Sequence, residues 1–315
     1  KAFRFIKEHT EVPDERIEAT YYLLESLKKT EKDTAVINRT YTDFFEAFPP
    51  APLNVSIQVS YADFLAFYLD NIKQSIAALD RAMTMAQNRY DEAEIKLKLG
   101  DVLVFDGQFN RALIVFTQIQ NSFKNHPVGQ MARYKVARTS YFKGDFDWAN
   151  VQLKVLKRAT SKLIANDAMD LSILIETNQM KDSTDTAIKD FATADLLSYQ
   201  NKTEEAVKAF TAIADAYPGH PILDDVLFRI AQLYEQLGKY EDAIVTYEKI
   251  LAYNQDELFY DDACYHMARL YDQYLSDPEK ARTYYEKIVM DYPSSIYLVP
   301  SRKRLRILRG DEIIP

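Results

Sequence analysis

Residues 224–254 read DDVLFRIAQLYEQLGKYEDAIVTYEKILAYN, and the fold follows from them. Leu227, Ile230, Ala231 and Tyr234 stand at i, i+3, i+4 and i+7, one apolar stripe of an amphipathic helix. Gly238 comes next, a residue free to take the left-handed conformation that closes a helix. Ala243, Tyr247 and Ile250 then line one face of a second helix. Ala231 and Ala243 are small where the two backbones must approach, because a bulkier side chain would overpack the crossing at a cost of roughly 1–3 kcal/mol.

The same small-then-large pair recurs along the chain. Ser75 leads to Leu79, Ala112 to Phe116, Ala149 to Leu153, Ala206 to Phe210, Ala243 to Tyr247 and Ala281 to Tyr285. The small residues are 37 apart from 75 to 112 to 149 and again from 206 to 243, then 38 apart to 281. A fixed period of this size is the signature of stacked helical repeats. It places helix breaks near Asn71, Gly107, Gly144, Asn201, Gly238 and Ser276.

These residues resemble the tetratricopeptide repeat, with its small residues in helices A and B, aromatic partners and a closing Pro. Further copies run through Leu99-Gly100, Gly107, Ala112 and Phe116; through Ala137, Gly144, Ala149 and Leu153; through Ala194, Ala206, Phe210 and Pro218; and through Met267-Ala268, Tyr271, Ala281, Tyr285 and Pro293. Weaker copies are anchored by Ala62 and Ser75, and by Leu24, Ile37, Phe44 and Pro49. The resemblance implies an all-α chain, a right-handed superhelix of about seven helix pairs with a C-terminal capping helix.

Two departures refine this expectation. Phe3 and Ile6 stand where Tyr285 and Ile288 stand in the last repeat, so the chain opens inside a helix B. Lys1 is then not expected to be the natural start, and a half-repeat, a signal or more repeats are expected before it. The interval from Ala149 to Ala206 is 57 residues, one repeat and about half of another. Residues 164–180 and 185–199 each read as a helix, with Ala187 suited to a B position and Ala194 to an A position. A half-repeat slip is expected there, dividing the chain into an N-terminal array (1–161), phase-switch helices (162–201) and a C-terminal array with its cap (202–315).

Composition narrows the function. The chain has 315 residues, 7 Gly, 22 Tyr and 17 Phe, which suits continuous helix packed by aromatics. A net charge of −8 argues against general nucleic-acid binding. No apolar run approaches the roughly 18 residues of a membrane helix. The stretch from Phe48 to Pro52 reads as a rigid loop. Arg302, Lys303, Arg304, Arg306 and Arg309 crowd the last helix, either as the polar outer face of a cap or as a site for an acidic partner or a phospholipid headgroup. Gly310 stops that helix.

No catalytic constellation is present. His9, His126, His220 and His266 are scattered, and there is no CxxC, HExxH, phosphate-binding glycine loop or nucleophile elbow. His126 and His220 adjoin Pro in inter-repeat loops. Asp224-Asp225 and Asp261-Asp262 suit helix N-termini. The single Cys264 reads as a core filler. No enzyme activity, metal or cofactor is expected.

In the resembled family the concave groove is lined by helix A at positions two, five, nine and twelve. Carried over, this implies a protein-binding surface of Tyr22, Phe64, Phe67, Tyr134, Arg138, Tyr141, Phe228, Tyr265 and Arg269, with Ser60 and Gln232 beside them. The Lys and Asn clamp of chaperone-tail-binding members is absent, the corresponding pairs being Tyr22/Ser26, Ser60/Phe64, Leu97/Asp101, Tyr134/Arg138, Phe228/Gln232 and Tyr265/Arg269.

Residues 284–310 (YYEKIVMDYPSSIYLVPSRKRLRILRG) are similar to the outer-membrane assembly lipoprotein BamD and to Tol-Pal-associated periplasmic repeat proteins. The middle of the chain resembles long repeat proteins of Bacteroidota. Asp33-Thr34-Ala35, Asp182-Ser183-Thr184 and Asp185-Thr186-Ala187 match the O-glycosylation triplet of exported proteins of that phylum. These resemblances imply a scaffold that binds a peptide or a folded protein and helps assemble an envelope complex, in the periplasm or at the outer membrane, with peripheral membrane association open. A cytoplasmic regulatory module lacking its output domain is the other reading.

Overall fold

The computed structural model describes residues 10, 12–31, 33–157, 159, 161–180, 184–252 and 259–310. The helix-B reading of Phe3 and Ile6 lies outside them, as do His9 and the Asp182-Ser183 part of one triplet. The described residues hold sixteen α-helices, one short 3-10 turn and no strand. The chain divides into two compact units, Lys1–Ile173 and Leu174–Pro315.

In the first unit the helices are α1 (Pro13–Thr30), α2 (Thr34–Ala47), α3 (Val55–Phe67), α4 (Ile72–Met83), α5 (Arg89–Phe105), α6 (Phe109–Ser122), α7 (Pro127–Phe142) and α8 (Phe146–Leu156). Each packs on the next in the pairs α3–α4 to α7–α8, and odd-numbered helices also touch, α1 on α3, α3 on α5 and α5 on α7. That is helix A against its own helix B and against the next helix A. Helix α9 (Lys162–Gln179) carries residues of both units. In the second unit α10 (Thr186–Tyr199), α11 (Thr203–Ala216), α12 (Ile222–Gln236), α13 (Tyr240–Leu251), α14 (Tyr260–Gln273), α15 (Pro278–Asp291) and α16 (Leu298–Arg309) pack in succession.

The small residues sit where the repeat requires them. Ala112, Ala137, Ala149, Ala206, Ala231, Ala243, Ala268 and Ala281 are all fully buried. At Gly100 the approach is closer still. A Cβ there would lie 2.2 Å from the Phe116 ring, so the large residue of helix α6 occupies the space that an alanine methyl would need.

Every expected helix break is present, and the turns fall into two types. After α5, α7, α10 and α12 the residue with positive φ is Gly107, Gly144, Asn201 or Gly238, seven positions beyond Gly100, Ala137, Ala194 or Ala231. The next backbone N–H donates five residues back, as in Gln108 to Leu103 (2.7 Å) and Lys239 to Tyr234 (2.9 Å). After α3 and α14 the positive-φ residue is Asp70 or Ser276, eight positions beyond Ala62 or Ala268. There the bond reaches six back, Asn71 to Leu65 (2.8 Å) and Asp277 to Tyr271 (2.9 Å). One residue has been inserted in each of these two turns.

The irregular interval also resolves. Between α8 and α11 stand two helices, α9 and α10, where strict alternation has one. Helix α10 takes the A role toward the helices after it: Ala194 is buried, and α10 packs on α11 and touches α12. Upstream, the Pro-rich loop is clamped by buried Asn54, whose side chain donates to the Phe48 and Pro49 carbonyls (3.3 and 3.1 Å) and accepts from Ala51 N–H (3.0 Å). Asp33 of the first triplet caps α2, accepting from Ala35 N–H (2.8 Å).

Candidate functional site: the helix-A faces

In the first unit the A helices are joined by a ladder of charges. Lys28 on α1 meets Glu25 (2.6 Å) and reaches Asp63 on α3 (3.1 Å). Asp63 also binds Lys98 on α5 (2.6 Å), and Asp101 on α5 binds Lys135 on α7 (2.6 Å). Ser60 donates to Glu25 (2.7 Å) and lies 2.7 Å from the buried Tyr41 hydroxyl. The partners are 35, 35 and 34 residues apart, one repeat each. Burial alone would push the Asp63 carboxyl up, but Lys98 and Lys28 outweigh it and hold the group below the usual carboxylate range. The same contacts raise Lys28 and Lys98 against the opposing effect of their own burial. Both partners therefore stay charged across the ordinary pH range.

The second unit uses a different set. Asp195 on α10 pairs with Arg229 on α12 (3.3 Å), Glu235 on α12 with Arg269 on α14, and Asp272 on α14 with Arg304 on α16 (Nη2 to Oδ1 2.9 Å). Glu235 is the hub. Its Oε1 accepts from the Tyr247 hydroxyl and from His266 Nδ1, each at 2.7 Å, while Oε2 takes Arg269. Burial would raise the Glu235 carboxyl, yet these donors hold it below its ordinary value. Around the hub lie stacked rings: Phe228 on Phe259 (centroids 4.6 Å) and Tyr265 on Tyr297 (4.2 Å), with the Phe228 ring edge-on to His266 (5.7 Å). The Tyr297 hydroxyl donates to Asp262 (2.8 Å).

Of the nine groove residues read from the sequence, three converge in the second unit: Phe228, Tyr265 and Arg269 all surround His266. Four more are separate in the first. Tyr22 is exposed on α1; Phe67 on α3 meets Phe105 edge-on (4.7 Å); Tyr134 and Arg138 are half-buried on α7, with Arg138 over the Phe142 ring (5.3 Å). Phe64 and Tyr141 are corrections. Both are 0% exposed and belong to the core. Phe64 packs on Tyr41 (5.5 Å) and Tyr68 (5.6 Å), Tyr141 on Phe142 and Phe146 (5.4 and 6.0 Å). The reason for Phe64 is the inserted residue at Asp70. Counting back from Ser75 rotates α3 by one residue, about 100° of helix, and Asp63 takes the groove place.

The remaining polar residues serve the fold. His126 caps α7, its Nδ1 accepting from Val128 N–H (3.3 Å), and His220 accepts from Ile222 N–H (3.1 Å) in the same way. Cys264 is buried, and burial pushes its thiol up to about 12, which leaves it unreactive at neutral pH. Among the described residues no group of His, Cys, Asp and Glu could hold a metal ion. The basic helix is only partly committed: Arg304 binds Asp272 and Arg309 binds Glu286 (2.6 Å).

The ladder, Glu235 and His266 were absent from the sequence reading of the groove. Their signal was present as charge recurring at the repeat period, which a search for aromatic binding residues passes over.

Family models agree with this geometry. Residues 197–261 and 262–295 each match the tetratricopeptide repeat family. The second unit is thus built from tetratricopeptide repeats over the matched stretch. No curated protein sequence matches the chain. Among solved structures, a tetratricopeptide repeat protein from Parabacteroides merdae is 14% identical, covering 93% of this chain and 98% of that one, with a TM-score of 0.37. The quorum sensor NprR from B. thuringiensis, in its apo form, is 16% identical over 95% of this chain and 84% of its own (TM-score 0.37). Rap protein complexed with competence and sporulation factor is 13% identical over 98% and 89% (TM-score 0.40). No ligand passes from these proteins to this chain.

Proposed function

We propose that this chain is a non-enzymatic scaffold that holds a protein partner along its helix-A faces and helps assemble a complex of the bacterial cell envelope. The observation that carries the binding reading is the second unit's cluster. Phe228, Tyr265 and Arg269, residue types that dominate protein interfaces, stand around His266 and the half-buried Glu235 carboxylate that it binds. Arg269 keeps about a third of its side chain open while Glu235 beneath it keeps 13%. A guanidinium has five N–H donors, so one anchored at Glu235 retains donors for a partner's carbonyls or carboxylates. Support for the envelope is the similarity of residues 284–310 to envelope repeat proteins.

Affinity capture from an envelope extract tests the reading. Arg269→Ala and Phe228→Ala are expected to lose a partner that the native chain and the helix-B variant Val245→Ser both retain. Equal capture by all four proteins would place binding away from helix A. The coding sequence upstream of Lys1 tests the compartment: a signal peptide or lipobox agrees with the proposal, whereas a kinase or DNA-binding domain replaces it with the regulatory reading.

A further inference from the structure

Helix α16 presents a stripe that the fold does not use. Ser301 and Leu305 point inward, and Arg304 and Arg309 are tied to Asp272 and Glu286. The opposite stripe is Val299, Arg302, Lys303 and Arg306, at i, i+3, i+4 and i+7, all exposed. Its three cations form no ion pair among the described residues, in a chain whose net charge is −8. Just before them come two of the most exposed apolar side chains among the described residues, Ile296 (82%) in the loop before α16 and Val299 (73%) in its first turn, and Met290 (72%) lies in the last turn of α15, which leads into that loop. Among the described residues the acidic groups near by are Glu286, taken by Arg282 (3.0 Å) and Arg309, and the exposed Asp291.

We infer that this end of α16 is a docking surface for an anionic lipid bilayer, the three cations meeting phosphate headgroups while Ile296 and Val299 enter the acyl boundary. Cations alone would suit an acidic protein segment equally. Branched apolar side chains held this far out beside them have no counterpart in such a segment, but they do in a bilayer, whose anionic surface overlies hydrocarbon. No described helix is long and apolar enough to cross a membrane, and the contact inferred for α16 is a peripheral one. It is independent of the helix-A groove.

The full chain is mixed with vesicles of phosphatidylcholine containing phosphatidylglycerol, with vesicles of phosphatidylcholine alone, and with soluble poly-glutamate, and bound protein is measured by flotation or sedimentation. Binding to the anionic vesicles only, weakening as salt rises, is expected. The triple variant Arg302→Ala/Lys303→Ala/Arg306→Ala should bind roughly 100-fold more weakly, from the contribution of each basic residue near an anionic surface. Ile296→Ser/Val299→Ser should bind roughly tenfold more weakly, from the apolar area withheld. Replacing Arg302 and Arg306 by Lys should restore binding at an unchanged melting temperature, since all these side chains are exposed. Equal binding to neutral vesicles, no binding to anionic ones, or a triple variant that binds as well as the native chain would overturn the inference. Tight binding of poly-glutamate that ignores Ile296→Ser/Val299→Ser would overturn it in favour of an acidic protein partner.

Discussion

The helix-A faces of the two units solve one problem with different chemistry. Each must bridge consecutive A helices across a repeat, and each does so with ion pairs 32 to 35 residues apart. In the first unit the cations are Lys28, Lys98 and Lys135, with side chains only 7 to 25% exposed, set against Asp63 and Asp101 at 16 to 19%. In the second the anions Asp195, Glu235 and Asp272 are at 4 to 13%, while Arg229, Arg269 and Arg304 remain 34 to 39% exposed. An ammonium spent on one or two carboxylates and sealed by its neighbours is a structural part. A guanidinium anchored from below by a buried acid still faces solvent, and Arg is the cation suited to interfaces. The first face therefore stabilises, and the second is the one we propose to bind.

Several substitutions put that contrast at risk. The largest effect belongs to the corrected core residue. Phe64→Ala should cost about 3–5 kcal/mol of unfolding free energy, whereas Tyr22→Ala, one of the exposed positions, should stay within about 0.5 kcal/mol; urea denaturation measures both. Asp63→Ala leaves Lys98 without the carboxylate it pairs with and Lys28 with Glu25 alone, and should cost about 3 kcal/mol, the low end for breaking a buried pair. Arg269→Ala leaves Glu235 its bonds from Tyr247 and His266, so about 1 kcal/mol is expected there. If Arg269→Ala proves as damaging as Asp63→Ala, the division between a stabilising and a binding face fails.

Gly100→Ala drives a methyl into the Phe116 ring and should destabilise by roughly 1–3 kcal/mol. Pairing it with Phe116→Leu should recover part of that loss, which a thermal-melt series of the single and double variants would show.

A further contrast is one of pH, and its sign differs between the units. Asp63 is held below its ordinary value, so its stabilisation is present above about pH 4 and is lost as pH falls through the folded value. Asp225, on α12, is pushed up to about 7 by burial, against the opposing pull of a hydrogen bond from Asn178. Its folded form keeps the proton longer, so stability declines as pH rises from about 4 to about 7. Asp225→Asn should accordingly raise the urea midpoint at pH 8 and leave it near the native value at pH 4. A difference independent of pH would show that Asp225 is ionised in the fold.

The sequence carried the fold because the repeat is written in residues whose size is dictated by helix crossing. Ala231 and Ala243 can be nothing large, and the left-handed turn residues Gly107, Gly144 and Gly238 mark three of the reversals. The extra helix between α8 and α11 was legible from spacing alone. The faces were less so. A single inserted residue at Asp70 leaves the periodic stripe recognisable yet turns α3 by about 100°, which is how Phe64 came to be read as surface. Tyr141 has no such shift. Its place in the groove pattern is occupied in the first unit by buried side chains, Tyr141 on α7 and Val104 on α5, so the pattern itself overstates the open surface there. Ion pairs between repeats depend on two distant side chains meeting, and only the structure joins Asp63 to both lysines.

Placing the partner on the helix-A face of the second unit is the step on which the proposed function stands. A photo-crosslinking amino acid at Gln232, half-buried between Phe228 and Glu235 on that face of α12, and in a separate protein at Val245, exposed on helix B, tests it directly. A discrete adduct from position 232 in envelope extract is expected, with none from 245. An adduct from 245 with none from 232 would contradict the assignment.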